Sequence, residues 1–136
     1  MRKLNMLSIA CCLSLSLLPA HLMAATYDGS VPLLCAAVTV LECEETGECQ
    51  RSTAESVNLP QFVKINAQQQ TLSAVGQSET TTPIKRLEHL DGRLILQGGE
   101  GGRGWSLVIT EETGKLSAAI VEDGGTFVIF GACIPQ

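Results

Sequence analysis

The chain has 136 residues, of which 45% are hydrophobic, 17% are charged and only 4% are aromatic, and its formal net charge is −5 at pH 7. A chain of this length can bury the core of one small domain but not of two. The acidic balance argues against DNA, RNA and anionic membrane surfaces as partners, because those surfaces attract basic proteins.

The first 25 residues have the pattern of a secretory signal peptide. Arg2 and Lys3 supply a positive start, and an uncharged apolar stretch follows over residues 4–18. Small residues then lead to a cleavage site after Ala24 or Ala25. The apolar stretch is shorter than the ~20 residues that a membrane-spanning helix needs. We therefore expect a cleaved signal peptide and a mature protein that is periplasmic or secreted.

Two other interpretations of this segment stay open. A lipoprotein signal would be cleaved before Cys11, but the apolar segment ahead of Cys11 is short and Ser8 is a poor fit three places before it. The other is an uncleaved N-terminal anchor helix. With residues 1–25 removed, the mature domain is 26–136. Its formal charge is −7, because the removed segment carries two basic residues and no acidic one.

The mature domain retains four of the six cysteines. An even number in a small exported domain predicts two disulfides, with three pairings possible. We favour Cys43–Cys49, because residues 44–48 have the composition of a tight turn, and this choice leaves Cys35–Cys133. Zinc binding is disfavoured by the C-x5-C spacing and by an oxidising compartment, so we expect no metal and no other cofactor.

Short apolar segments rich in β-branched residues, separated by Gly, Asp, Asn and Thr, predict many short strands along the chain. The first is residues 33–41, which would place Cys35 and Cys43 on one face, although a helix is the alternative there. Four further elements are predicted before residue 84. They are a turn with a capping box at 52–55, strands at 62–66 and 71–75, and a polar loop at 76–82.

The C-terminal half predicts a five-strand antiparallel meander. Its strongest signal is Asp91-Gly92, the residue pair typical of a two-residue hairpin turn. The glycine-rich segment 98–104 is predicted to be a long, mobile hairpin loop, since glycine loses much entropy on ordering. The five predicted strands are 84–90, 94–97, 105–110, 116–121 and 126–132.

The predicted fold is therefore all-β: a single small antiparallel up-and-down meander of about eight strands, forming a closed or strongly curled barrel. The Cys35–Cys133 disulfide would join the first strand to the last, which suits closure. Insertion in an outer membrane is disfavoured, because such barrels need strands of ~9–11 residues and aromatic girdles.

Catalytic and metal-binding signals are weak. His89 is the only histidine of the mature domain, and the nearby Asp91 is better explained as a turn former. Residues 42–48 concentrate four carboxylates but lack the spacing of a calcium loop, so a solvated acidic turn is favoured. Paired catalytic carboxylates stay open as a third hypothesis, that of a small hydrolase.

Aromatic side chains are the candidate ligand-binding residues. Trp105 follows the glycine-rich segment and can line the mouth of a barrel, with Phe62 and Phe127 as further candidates. The competing explanation is that all three fill the core. Phe127 and Phe130 point to opposite faces of a regular strand, so one of them would be exposed on the outer face.

Four segments, 57–62, 91–98, 104–106 and 130–133, together resemble a group of small secreted proteobacterial proteins of unknown function. This resemblance spans most of the mature chain and implies no activity. A more distant likeness, of architecture alone, is to lipocalin-like barrels and to periplasmic inhibitor barrels.

The sequence thus predicts an exported, non-enzymatic binding module for a small apolar ligand or a protein partner. One alternative is a periplasmic inhibitor or interaction protein that acts through exposed loops, at residues 98–104 and 44–48. An apolar cavity open at one end would favour the ligand, a filled core with a protruding rigid loop would favour the inhibitor, and facing carboxylates in a cleft would favour the hydrolase.

Overall fold

The computed structural model describes residues 26–76 and 80–136. The predicted signal peptide, residues 1–25, lies outside the described residues. Those residues form ten β-strands and no helix, which confirms the all-β prediction. The strands are β1 (Leu33–Glu44), β2 (Cys49–Ser52), β3 (Phe62–Asn66), β4 (Thr71–Val75), β5 (Thr81–Pro83), β6 (Arg86–Leu90), β7 (Arg93–Glu100), β8 (Arg103–Thr110), β9 (Lys115–Glu122) and β10 (Gly125–Pro135).

All ten strands belong to one antiparallel sheet that curls strongly into a half-barrel. The order across the sheet is β5-β4-β3-β1-β10-β9-β8-β7-β6, and β2 pairs with the second half of β1. The predicted meander over β6 to β10 is confirmed, as is the neighbouring position of the first and last strands. The two edge strands, β5 and β6, are consecutive and are joined only by Ile84 and Lys85.

A bulge in β1 changes which face each cysteine occupies. The pairing of β1 with β10 shifts by one residue between Ala37 and Thr39, so Val38 is unpaired. Since the extra residue reverses the inward and outward alternation, Cys35 points into the half-barrel and Cys43 lies on the outer face. The prediction that both cysteines share a face is therefore wrong.

Both predicted disulfides are present. Cys35 and Cys133 are bonded across the first and last strands, and Cys43 and Cys49 close the β1–β2 hairpin. Paired cysteines of this kind form in an oxidising, extracellular-type environment. None of the described residues forms a helix long and apolar enough to cross a membrane.

The glycine-rich segment 98–104 is not a loop, contrary to the prediction. Gly98, Gly99 and Gly104 lie in the paired ladder of β7 and β8, and only Gly101 and Gly102 form the turn. Both turn glycines have positive φ angles, 57° and 82°, which is the requirement of a two-residue hairpin turn. The glycines thus build a tight hairpin.

Two other sequence predictions are off by a few residues. The capping turn begins at Thr53, whose backbone and side chain exchange hydrogen bonds with Ser56, one place beyond the predicted box. Residues 76–82 were predicted as a loop, but Thr81–Pro83 form the short edge strand β5. Its composition is polar because only Thr82 faces inward, next to the cavity described below.

The two ends of the half-barrel differ in packing. The packed end, at the β6–β7 and β8–β9 turns, is filled by buried side chains from six strands and closed by Tyr27, whose backbone N–H donates to Glu111 O at 3.1 Å. The hollow end, at the β7–β8 and β9–β10 turns, encloses a cavity. The buried residues of the packed end's core are Leu33, Cys35, Ile65, Ile84, Leu94, Leu96, Leu107, Ile109, Leu116 and Cys133.

A smaller cluster joins the capping segment, residues 53–61 between β2 and β3, to the sheet. Ala54 and Leu59 from the segment between β2 and β3 pack on Val40, Phe127 and Ile129. This cluster forms part of the wall of the hollow end, because Leu59 and Ile129 also line its cavity.

Candidate functional site

The cavity at the hollow end has a volume of about 850 Å³ and opens to solvent. This volume lies within the range of small-molecule sites, ~300–1,000 Å³. Its walls include apolar side chains from β1, β3, β4, β8, β9 and β10, with the capping segment on one side. The apolar lining residues are Ala37, Leu59, Pro60, Val63, Leu72, Ala74, Trp105, Leu107, Leu116, Ala118, Ile120 and Ile129.

The strand register arranges the inner face of the hollow end in layers. Charged residues form the outermost layer, because Glu100 pairs with Arg103 across β7 and β8, and Arg103 lies opposite Glu122. Two residues further in, Trp105 lies between Gly98 and Ile120. Below that, every inward residue of these strands is aliphatic. A molecule entering the cavity therefore passes charged groups, then an indole ring, then an aliphatic interior.

Gly98 fixes the orientation of the Trp105 indole. A Cβ atom added at Gly98 would lie 2.3, 2.6 and 3.0 Å from three atoms of the benzo ring, so the ring covers the glycine. Trp105 lines the cavity while Gly98 does not. The indole therefore packs against β7 and the neighbouring core and also forms part of the cavity wall. A larger residue at position 98 would push the ring into the cavity.

We define the rim as the four charged residues at the cavity mouth: Glu100, Arg103, Glu122 and Asp123. Arg103 Nε donates to Glu122 Oε2, and the Thr82 hydroxyl donates to Glu100 Oε2. Three carboxylates and one guanidinium give the rim a formal charge of −2. In the part of the chain that the structure describes, Glu100 and Asp123 have no cationic nitrogen within 4.0 Å.

The structure separates the three aromatic residues that the sequence singled out. Trp105 lines the cavity. Phe127 is 5% exposed and packs under the capping segment, outside the cavity lining. Phe62 is 44% exposed on the outer face of β3 and is also outside the cavity. Phe127 and Phe130 do point to opposite faces, and it is Phe130 that is exposed.

The outer face carries an apolar patch beside the first and last strands. Phe62 lies in one cross-strand row with Val75, Ala36 and Ala132, and Phe130 lies on the same face one row away. Val38, the bulged residue between these rows, is 74% exposed. Contiguous exposed apolar residues of this kind are typical of contact surfaces.

His89 lies at the packed end, away from the cavity. Its Nδ1 atom is 2.6 Å from Glu111 Oε1, and the side chains are 52% and 24% exposed respectively. Asp91 forms the β6–β7 turn with a φ angle of 49°, as predicted. His89 also borders a shallow depression of about 310 Å³ that Ser30 and Gln68 help to line.

Sequence reasoning missed the rim and Gly98. Glu100 and Arg103 flank the β7–β8 turn, but Glu122 and Asp123 are distant from them in the chain, and only the register of β8 with β9 brings the two pairs together. Gly98 belongs to the glycine-rich segment 98–104, which the sequence predicts to be a loop. The signal available was the spacing Gly98…Trp105, because a two-residue turn at 101–102 places these two residues opposite each other.

The comparisons with known proteins give no relative for this chain. It matches no protein-family model, and neither the search of curated proteins nor that of solved structures finds a significant match.

Proposed function

We propose that this protein is an exported, non-enzymatic binding module, and that its ligand is a small apolar molecule held in the cavity of the hollow end. The observation that carries the proposal is the 850 Å³ cavity, whose lining includes twelve apolar residues. Apolar ligands gain about 25 cal/mol for each Å² of apolar surface removed from water, so such a cavity favours binding. The export pattern of residues 1–25 and the two disulfides support a periplasmic or secreted location.

The arrangement of polar groups supports binding over catalysis. At the rim, Glu122 is held by Arg103 and Glu100 by Thr82, so two of the three carboxylates already have partners, and the third, Asp123, is exposed at the β9–β10 turn. His89, the most versatile acid–base group, lies at the other end of the half-barrel beside Glu111. The groups that line the cavity are thus suited to holding a ligand in place.

Binding is measured with N-phenyl-1-naphthylamine, an apolar probe whose fluorescence rises in a dry environment. We expect saturable binding of one probe to the mature protein. Ala118 lines the cavity and Ala119 points to the outer face, so Ala118→Phe fills the site while Ala119→Phe leaves it open. We expect Ala118→Phe to weaken probe binding about tenfold or more, and Ala119→Phe to leave it unchanged.

Thermal unfolding of both alanine variants checks that each is folded. Probe binding that is absent, or equal in the Ala118→Phe and Ala119→Phe proteins, would contradict the proposal.

A second candidate function is favoured by the apolar patch on the outer face. Exposed Phe62 and Phe130 there fit a partner protein that covers the first and last strands. A photo-crosslinking amino acid at position 130 would then give one defined adduct in the native host, while the same group at exposed Lys85, between edge strands β5 and β6, would not. Equal or absent crosslinking at the two positions would count against this function.

A further inference from the structure

We propose that the ligand of the hollow end is a cationic amphiphile, a molecule with an apolar body and an ammonium or similar positive group. This inference rests on the proposed function and assigns the chemical class of the ligand. Three features of the site carry it: the net charge of the rim, the position of the Trp105 indole in the cavity wall, and the order of the layers between the rim and the cavity floor.

The rim attracts a cation and repels an anion. It has three carboxylates against one guanidinium, and the guanidinium of Arg103 is already paired with Glu122. The Glu100 carboxylate accepts a hydrogen bond from a neutral hydroxyl, and Asp123 is exposed at the β9–β10 turn. Because Glu100 and Asp123 are exposed to solvent, their attraction for a cation is strongest at low ionic strength. A cationic group at the mouth would compensate the excess negative charge.

The indole of Trp105 also attracts a cation. The ring packs against Gly98 and lines the cavity. The face of an aromatic ring carries negative electrostatic potential and binds ammonium groups, with Trp the strongest of the aromatic residues. Because Trp105 lies directly below the Arg103 layer, a cation at the mouth can contact both the ring and the carboxylates.

The layer order fixes the direction of the ligand. Below Trp105 the inward positions are aliphatic, including Leu107, Ala118 and Leu116. A charged group placed there would lose its hydration without a partner, which is costly. The apolar body therefore occupies the interior and the positive group stays at the rim.

The test compares three probes that share one alkyl chain: decyltrimethylammonium, decyl sulfate and 1-decanol. The two surfactants are used below their critical micelle concentrations, and 1-decanol is used below its solubility limit. Isothermal titration calorimetry with the mature, disulfide-bonded protein gives the affinities. At low ionic strength we expect decyltrimethylammonium to bind about tenfold more tightly than 1-decanol, and decyl sulfate more weakly than 1-decanol. The cation preference should shrink as salt is raised, because the rim is exposed to solvent.

Two double variants with the same charge change locate the effect. Glu100→Gln with Asp123→Asn neutralises two rim carboxylates, and Glu112→Gln with Asp91→Asn neutralises two at the turns of the packed end. We expect the rim variant to lose most of the cation preference with little change for 1-decanol, and the packed-end variant to keep it. Trp105→Leu should weaken decyltrimethylammonium more than 1-decanol.

Each result separates the two proposals. Tighter binding of decyl sulfate than of decyltrimethylammonium, or equal losses in the two double variants, overturns the assignment of a cation and leaves the apolar site intact. Failure of all three probes to bind overturns the proposed function as well.

Discussion

The packed end and the hollow end of the half-barrel are built from the same strands but differ in what their inward positions hold. At the packed end, Leu94 and Ile109 face each other and are fully buried. At the hollow end the corresponding strands place Gly98 opposite Trp105, and β9 contributes Ala118. Gly98 and Ala118 are small residues, and the Trp105 ring packs against Gly98, so these positions leave the cavity unfilled.

This comparison teaches that one alternating pattern can serve two purposes. Inward apolar residues at both ends satisfy the same period-two pattern, so both ends help to fold the sheet. Only side-chain volume differs, and it determines whether an end becomes core or cavity. Stability should therefore depend mainly on the packed end, and ligand binding on the hollow end.

The largest expected effect comes from the disulfide at the packed end. In the loop-closure model, a bond over a sequence separation of 98 residues stabilises by about 4–5 kcal/mol, whereas the bond over 6 residues contributes about 2. We therefore expect Cys35→Ala with Cys133→Ala to lower the free energy of unfolding far more than Cys43→Ala with Cys49→Ala. Urea denaturation of both variants measures this, and equal midpoints would contradict it.

A matched pair of isoleucines on the inner face tests the difference in packing. Ile109 is fully buried at the packed end, and Ile120 is partly exposed beside the cavity. Truncation of a buried isoleucine to alanine costs ~2–5 kcal/mol, so Ile109→Ala should fall in that range. Ile120→Ala should cost about 1 kcal/mol, because less area is lost and no closed void forms. Similar losses for both variants would show that the hollow end is a core region.

Two glycines test whether the hollow end can absorb an extra methyl group. A Cβ at Gly131 would lie 2.1 Å from the Ala36 carbonyl oxygen, and one at Gly98 would meet the Trp105 ring at 2.3 Å. The Ala36 backbone is held in the sheet and cannot move away, whereas the Trp105 side chain can shift into the cavity. We expect Gly131→Ala to cost about 2–3 kcal/mol and Gly98→Ala about 1.

Gly98→Ala should also shift the emission of Trp105, which is the only tryptophan of the chain. Gly125→Ala serves as the control, since a Cβ there meets only the Cys43 carbonyl oxygen, at 3.4 Å. An unchanged emission spectrum in the Gly98→Ala protein would be at odds with a ring that rests on the glycine.

The smallest expected effect is a pH dependence at the packed end. Hydrogen bonds from the Ser30 hydroxyl and backbone N–H lower the pKa of the Asp28 carboxyl below its usual value. A lowered pKa in the folded state contributes stability above the ordinary carboxyl pKa and loses it as the pH falls through the folded value. Asp28→Asn should therefore slightly flatten the loss of stability between about pH 4 and pH 2. An acid-denaturation curve with the wild-type slope would argue against this contribution.

Much of the fold could be predicted from the sequence, because its signals are local. The Asp91-Gly92 turn, the alternation of Trp105 with Leu107, and the disulfide across the β1–β2 turn each depend on neighbouring residues. The bulge at Val38 could not be predicted, since it depends on how β1 pairs with β10 over a long separation. It is this bulge that moves Cys43 to the outer face.

The cavity itself was predictable only in part. Trp105 was identified as a candidate because it is aromatic and follows the glycine-rich segment, and it does line the cavity. Phe127 is also aromatic and also points to the inner face, but the capping segment packs on it. Packing of segments that are distant in the chain determines which inward residues line the cavity. Local sequence patterns do not predict such packing.

The central claim is that the hollow end binds a ligand and the packed end does not. The most direct measurement is chemical-shift mapping of the ¹⁵N-labelled mature protein with decyltrimethylammonium, in which the single indole N–H of Trp105 gives its own signal. We predict saturable shifts at the Trp105 indole, Ala118 and Ile120, with Leu94 and Ile109 unchanged. Shifts confined to the packed end or the outer face, or no saturable shift at Trp105, would contradict the claim.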